Sequence, residues 1–352
     1  MKKRSRLVLV IAAAALAVIG LLAFALIPAI QELLSKLTAT PFPPVGLSGE
    51  EPAQLAEVVS VLHWNVKVLE VSRGDAAWST IRTADEFNEP PPPGKEYLLV
   101  KLWVKSTAAD DKAHPISQSD FVVTGDRLVK YHTAEALEPE PQLNAELSKG
   151  EKTEGWIAFL IDQRESNLVL ILDEVASFRE DRFRFIALDE GAVIALAPEL
   201  DDIQPTELGI DQARPAPLGE TVTTEDWQIT VRKVVRGEAA WQMIQAADEF
   251  NEPPEAGMEY ILVKVHARYI GATPTGETID SIFFQTIGSD DVLYDYPFVI
   301  SPEPSLSVDL FPGGEYEGWI TMQAAQGETG LMLVFEESLE SDQGRRFLSL
   351  VQ

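Results

Sequence analysis

The chain has 352 residues, 45% of them hydrophobic, no cysteine and a formal net charge of −28. That length suits two or three domains, and the composition excludes global disorder. The missing cysteine excludes disulfides, thiolate metal sites, cysteine nucleophiles and a lipidated-cysteine anchor, and so acidic a surface repels phosphate backbones, so nucleic acid is not an expected partner.

The first six residues, MKKRSR, form a basic end with four of the 28 Lys and Arg, leaving 24 basic against 56 acidic residues beyond. Residues 7–30, LVLVIAAAALAVIGLLAFALIPAI, carry no charge. As a helix this run spans a hydrocarbon core of about 30 Å. A basic flank before it and an acidic chain after it predict a single-pass transmembrane anchor, N-terminus in the cytoplasm and the bulk outside. The alternative is a signal peptide cleaved near Ala23-Phe24-Ala25, giving a secreted protein. Such peptides usually have a shorter apolar core, of about 7–15 residues. Residues 31–54, with Thr40-Pro41-Phe42-Pro43-Pro44, read as a stiff Pro-rich tether.

The body contains one stretch twice. Residues 73–101 (RGDAAWSTIRTADEFNEPPPPGKEYLLVK) and 236–264 (RGEAAWQMIQAADEFNEPPEAGMEYILVK) are identical at 20 of 29 positions without a gap. The offset of 163 also relates Trp64 to Trp227, Pro139-Glu140-Pro141 to Pro302-Glu303-Pro304, Glu154-Gly155-Trp156 to Glu317-Gly318-Trp319, and Leu168 to Leu331. Constant spacing implies one fold used twice, as domains 55–188 and 218–352, joined by a Pro-rich acidic linker over 189–217. Ala192–Leu196 adds one short strand candidate inside that linker.

Within each copy the dominant period is two. Trp64, Val66 and Val68 alternate with polar residues, as do Trp227, Ile229 and Val231. A longer strand places Leu98, Val100, Leu102 and Val104 on a core face, and Tyr97, Leu99, Lys101, Trp103 and Lys105 on a largely solvated one; the second copy has Ile261, Val263, Val265 and Ala267 against Tyr260, Leu262, Lys264, His266 and Arg268. Further strands are expected over 120–124, 155–161, 168–172 and 183–188, and over 282–287, 318–322, 331–335 and 346–351. Short strands between turn residues indicate a sandwich or barrel rather than a parallel α/β fold. One insertion is helical. Ala77, Ile81 and Ala84 fall at i, i+4 and i+7 within Ala76–Phe87, Asp75 and Glu238 stand where an acid favours a helix N-terminus, and Pro90-Pro91 and Pro253-Pro254 follow. Trp78 and Trp241 lie beside the apolar stripe and are expected to pack under the helix; an exposed anchor for a partner is the alternative.

The opening Trp strand, the G-x-A-A-W helix, the F-N-x-P-P turn, the G-x-E-Y-x-L-V-K strand and the E-G-W strand together resemble a bacterial extracytoplasmic family, domain of unknown function 4352. The resemblance covers roughly residues 55–188 and 218–352. It implies export and an immunoglobulin-like β-sandwich, similar to telokin and to a secreted mycobacterial antigen. It implies no reaction and carries over no functional residues. The two cysteines that flank a core tryptophan in antibody-type domains are absent. The fold class expected is therefore all-β: two tandem immunoglobulin-like β-sandwiches, each with one short helix, after a single N-terminal transmembrane helix.

The sharpest candidate site is an acidic turn present in both copies. Asp85, Glu86, Asn88 and Glu89, and Asp248, Glu249, Asn251 and Glu252, offer hard oxygen donors of the kind Ca²⁺ takes. The spacing is not that of an EF-hand. The structural alternative is that the Asn caps the helix while Phe87 and Phe250 pack beneath it. The four histidines, His63, His114, His132 and His266, show no metal-ligand spacing, and none is matched between the copies. G-x-S-x-G, H-E-x-x-H and the phosphate-binding loop are absent. A glycosidase needs only two carboxylates at a set separation, and nothing selects a pair among 56 acids. These residues describe a non-catalytic binding or adhesion protein of the cell envelope, on the membrane through residues 7–30, with an unknown protein or glycan partner and no cofactor. The alternatives are a Ca²⁺-binding envelope module and a carbohydrate-active envelope enzyme.

Overall fold

The computed structural model describes residues 45–173, 183–195, 200–289, 291–337 and 344–351. The apolar run 7–30, the chain up to residue 44 and Leu196 lie outside the described residues. Among the described residues no helix is long and apolar enough to cross a membrane. From Val45 onward the chain forms one compact unit, and it contains both modules and their cores.

In the first module the elements are β1 (Val59–Ser60), β2 (Trp64–Arg73), α1 (Asp75–Ala84), β3 (Lys95–Ser106), β4 (His114–Ser117), β5 (Phe121–Thr124), β6 (Val129–Lys130), β7 (Asn144–Leu147), β8 (Lys152–Asp162), β9 (Val169–Asp173) and β10 (Phe183–Ala187). One sheet has the order β1-β2-β3-β8, a second β10-β9-β5, and β4 and β7 form a ribbon; every pairing is antiparallel. Val66, Val68, Leu98, Val100, Leu102 and Val104 point inward from the first sheet onto Phe121, Val123, Leu170, Leu172 and Ile186 of the second. This is a β-sandwich core, its inner residues set two apart along each strand. A bulge at Leu69 shifts the β2–β3 register between Val68 and Glu70.

The helix lies on the other face of β3. Gly74, at φ 64 and ψ −134, turns the chain from β2 into α1 in a conformation that strains any side chain. Ala77 and Ile81 then face Tyr97, Leu99 and Ala158, all buried, so the face of β3 expected to be solvated is in fact covered along its first half. Full burial of Ile81 contributes about 2 kcal/mol. Trp78 is half-buried and stacks on Tyr97, ring centroids 5.7 Å apart. The helix stops at Ala84, three residues short of the expected Phe87 and well before the prolines. Asp85 is already extended, and the chain that follows returns its donors to the open end of the helix.

The second module repeats the plan with β11 (Thr221–Thr223), β12 (Trp227–Arg236), α2 (Glu238–Ala247), β13 (Met258–Tyr269), β14 (Glu277–Asp280), β15 (Phe284–Ile287), β16 (Leu293–Tyr294), β17 (Ser307–Leu310), β18 (Glu315–Ala325), β19 (Met332–Phe335) and β20 (Arg346–Ser349). Its sheets run β11-β12-β13-β18 and β16-β15-β19-β20. Gly237 repeats the strained turn at φ 61, and the bulge recurs at Arg232.

Each module also takes in an N-terminal arc that reads as tether or linker in the sequence. Gly46 O accepts from Phe185 N at 2.8 Å, and Ala53 bridges Ile186. Gly209 O accepts from Phe347 N at 2.7 Å, and Ala216 bridges Leu348. Arg346 closes the second arc by donating to the carbonyls of Thr206 and Thr223. Residues 192–195 form no strand, although Ile194 N donates to Gly49 O at 2.7 Å. From β10 and β20 onward the copies align with an offset of 162, Arg184 matching Arg346 and Phe185 matching Phe347.

Candidate functional site

The repeated acidic turns are built as helix ends. Asn88 Nδ2 donates to Ile81 O and to Leu137 O, both at 2.9 Å, and its Oδ1 accepts from Leu137 N at 2.8 Å. Asn251 does the same with Ile244 O, Ile300 O and Ile300 N, at 2.8, 3.0 and 2.8 Å. Asp85 Oδ1 accepts from Phe87 N and Asp248 Oδ1 from Phe250 N, each at 2.7 Å. Glu89 and Glu252 contribute backbone carbonyls to Tyr97 Oη and Tyr260 Oη, while the side chains of Glu86, Glu89, Glu249 and Glu252 are exposed. Among the described residues no group of three or more His, Asp or Glu stands together as a metal cage. The phenylalanines do not pack beneath the helix: Phe87 and Phe250 are each 84% exposed. With the Asn turned inward to the helix end, the residue beside it faces out.

Two histidines far apart in sequence meet in space. His63 and His114 stack with centroids 4.3 Å apart, and His114 Nε2 lies 2.7 Å from Asp110 Oδ1. That hydrogen bond holds the Asp110 carboxyl below its ordinary range. His266 pairs with Glu315 at 3.4 Å. His132 reaches the other module, and it marks the feature the sequence did not reveal.

The two modules share a sheet. β6 of the first pairs antiparallel with β17 of the second, Val129 opposite Leu310 and Lys130 opposite Asp309. Phe311 N continues the ladder onto Leu128 O at 2.9 Å. His132 Nε2 lies 2.6 Å from Asp309 Oδ2, Lys130 Nζ donates to Thr275 O at 3.1 Å, and the Arg127 guanidinium lies 5.8 Å from the Tyr316 ring centroid. Behind this seam Arg127 also pairs with Asp162 at 2.9 Å, and Tyr131 Oη donates to Glu165 Oε2 at 2.6 Å. Burial pushes the Asp162 carboxyl up, but hydrogen bonds from Arg164 and the Arg127 charge outweigh it and hold the group at about 2. Burial, then the Glu165 charge, pushes the Tyr131 hydroxyl far above its usual range. Burial lowers Lys95 beside the same seam.

Above the seam lies an apolar pocket of about 330 Å³. Its floor is the outer face of the β10-β9-β5 sheet, with Thr124, Ile171, Phe183 and Phe185. The N-terminal arc closes one side with Leu47 to Glu50, Ile194 another, and Phe311 and Pro312 of the second module a third. These walls are fixed by backbone hydrogen bonds, Gly46 to Phe185, Gly49 to Ile194 and Leu128 to Phe311. Thr124 is fully buried, and its Oγ1 has no hydrogen-bond partner among the described residues. A buried hydroxyl left in this state costs about 1–3 kcal/mol.

The second copy serves as an internal comparison. Its residues matching Thr124, Leu128 and Phe183 are Ile287, Asp291 and Arg345. On the receiving side, Phe311 and Pro312 match Ser148 and Lys149 in the first copy. The copies therefore differ at these positions, where one module meets the other. Val292 and Leu293, the counterparts of the covered Val129 and Lys130, are about half exposed, at 49% and 55%.

The family described as Domain of unknown function (DUF4352) matches residues 54–182 and 216–346. The chain belongs to this family. Each DUF4352 module is a β-sandwich, and this chain carries two in tandem. Among solved structures, the yjhA protein of Bacillus subtilis is 12% identical, with 39% of this chain and 98% of that one covered and a TM-score of 0.29. The secreted protein MPT63 of Mycobacterium tuberculosis is 12% identical, covers 39% of this chain and 95% of its own, and gives 0.27. An uncharacterized beta-sandwich protein of Clostridium difficile 630 is 10% identical, covers 40% and 96%, and gives 0.26. No curated protein matches the chain.

Proposed function

We propose that this tandem DUF4352 chain is a non-catalytic binding protein of the bacterial cell envelope, and that its binding site is the pocket at the module junction. The carrying observation is that pocket. It is walled by both modules and floored by aromatic rings, and its lining residues differ from their counterparts elsewhere in the same chain. The immunoglobulin-like reading of each sandwich fits a scaffold that presents such a site.

The test is a fluorescence titration of residues 45–352, the compact unit, with the neutral dye N-phenyl-1-naphthylamine. The reading expects saturable binding to one site per chain. It also expects loss of that binding in Phe183→Arg combined with Leu128→Asp. Both substitutions install the residue that the same fold already carries in its second copy. Dye binding that is unsaturable, or unchanged in the variant, contradicts the reading.

The placement outside the cytoplasm rests on the basic end 1–6, the apolar run 7–30 and the acidic chain beyond; the MPT63 protein is also described as secreted. Because the natural chain has no cysteine, a membrane-impermeant maleimide reads topology directly. On intact cells it is expected to label Thr83→Cys and to leave Ser5→Cys unlabelled. The reverse pattern contradicts the orientation.

A further inference from the structure

Resting on that reading of the junction, we infer that the pocket takes the hydrocarbon chain of a single-chain amphiphile whose head is uncharged or cationic, and that it excludes carboxylates. The walls supply the first half of the argument. Leu128, Ile171, Phe183, Phe185, Ile194 and Phe311 offer no charge and almost no polarity, so water held among them gains little. A volume of about 330 Å³ is at the small end of ligand pockets and suits one chain or one ring system rather than a two-tailed lipid.

The polar groups supply the second half. Thr124 in the floor is fully buried, so its hydroxyl does not meet the ligand, and the head is selected at the rim. Among the described residues the charged lining residue is Glu50, an exposed carboxylate. Among nearby basic groups, Lys130 gives its ammonium to Thr275 O and to the Phe311 ring, and it does not line the pocket. Among the described lining residues an anionic head therefore meets Glu50 and no compensating cation, inside a chain of net charge −28. A neutral head meets no penalty, and a cationic head gains an ion pair.

The copies diverge in the sense this requires. Where the first module has Thr124 and Glu50, the second has Ile287 and Ala213, and where the first has Phe183 the second has Arg345. Carboxylate and aromatic floor occur together at the junction, where Phe311 closes the pocket.

The experiment displaces N-phenyl-1-naphthylamine from residues 45–352 with three twelve-carbon chains at submicellar concentration: 1-dodecanol, dodecyltrimethylammonium and dodecanoate. Dodecanol and dodecyltrimethylammonium are expected to compete at least about tenfold more strongly than dodecanoate. Glu50→Gln is expected to bring dodecanoate within about threefold of dodecanol. Equal competition by all three in the native sequence, or a preference for dodecanoate, overturns the ligand class while dye binding upholds the site. Absence of saturable dye binding overturns the site itself.

Discussion

His132 of the first module and Asp309 of the second are joined by a 2.6 Å Nε2–Oδ2 contact across a seam where two sandwiches share a β-ladder. Asp309 also accepts from Thr278 Oγ1 at 2.5 Å. The His132 hydrogen bond is the largest influence on its carboxyl and holds it below the ordinary range, burial pulling the other way. A carboxyl depressed in the folded state adds stability above its unfolded pKa, and loses it as pH falls through the folded value. Replacing Asp309 by Ala is expected to cost about 1 kcal/mol at pH 7, modest because His132 is largely exposed. The difference from the native sequence should vanish in strong acid. Urea melts at pH 7 and pH 2.5 check both the size and the sign.

The turns that look like cation ligands are expected to behave as helix caps. Asn88→Ala removes three hydrogen bonds at the end of α1 and should cost about 2 kcal/mol. Asn251→Ala should cost a similar amount, and the two should add, since each acts within its own module. Millimolar Ca²⁺ and chelation should leave both melts unmoved. A calcium-dependent rise in melting temperature, lost with Asp85 and Asp248, would return these turns to the metal reading.

Neighbouring residues of one repeat should differ widely. Ile81→Ala opens a cavity between α1 and Leu99, and should cost about 3 kcal/mol. Phe87→Ser, a few residues on, removes a ring that is 84% exposed and should change stability by less than about 0.5 kcal/mol. Calorimetry of the two variants separates packing from display, since repetition alone marks both residues equally.

Much of this was legible in the sequence because it is local and periodic. The alternation from Leu98 to Val104 gave a strand whose inner face is the core, and Ala77 with Ile81 gave a helix that buries those two residues. The rest was hidden for identifiable reasons. β6 is two residues long and owes its pairing to β17, about 180 residues away, so no local period records it. β4 and β7 contain polar residues and a proline, a ribbon too mixed to show a clean alternation. The arcs at Gly46–Ala53 and Gly209–Ala216 are rich in Gly, Pro and charge, which reads as tether although the chain folds back on the sheet there. A signal was present: Gly46 with Gly209 and Pro52-Ala53 with Pro215-Ala216 keep the offset of 163. The outward turn of Phe87 follows from the inward commitment of Asn88, which composition cannot order.

The junction should also decide how the protein melts. Phe311→Ser places at the seam the residue found at the matching position of the first module, and removes an apolar wall that two modules share. A loss of about 1–2 kcal/mol is expected, given that Phe311 is only half-buried. In calorimetry the native chain should unfold in one transition and this variant in two. A variant that still melts as one would mean that Phe311 adds little to the coupling.

The central claim is that the two modules form one body with the pocket between them. The most direct measurement is the spin-label distance distribution between Ser79→Cys on α1 and Gln242→Cys on α2, matched exposed sites in a chain with no other cysteine. One narrow peak is expected for residues 45–352, broadened by Phe311→Ser. A broad distribution in the native sequence would contradict it, because modules that swing freely cannot hold Phe311 against the Phe183 floor.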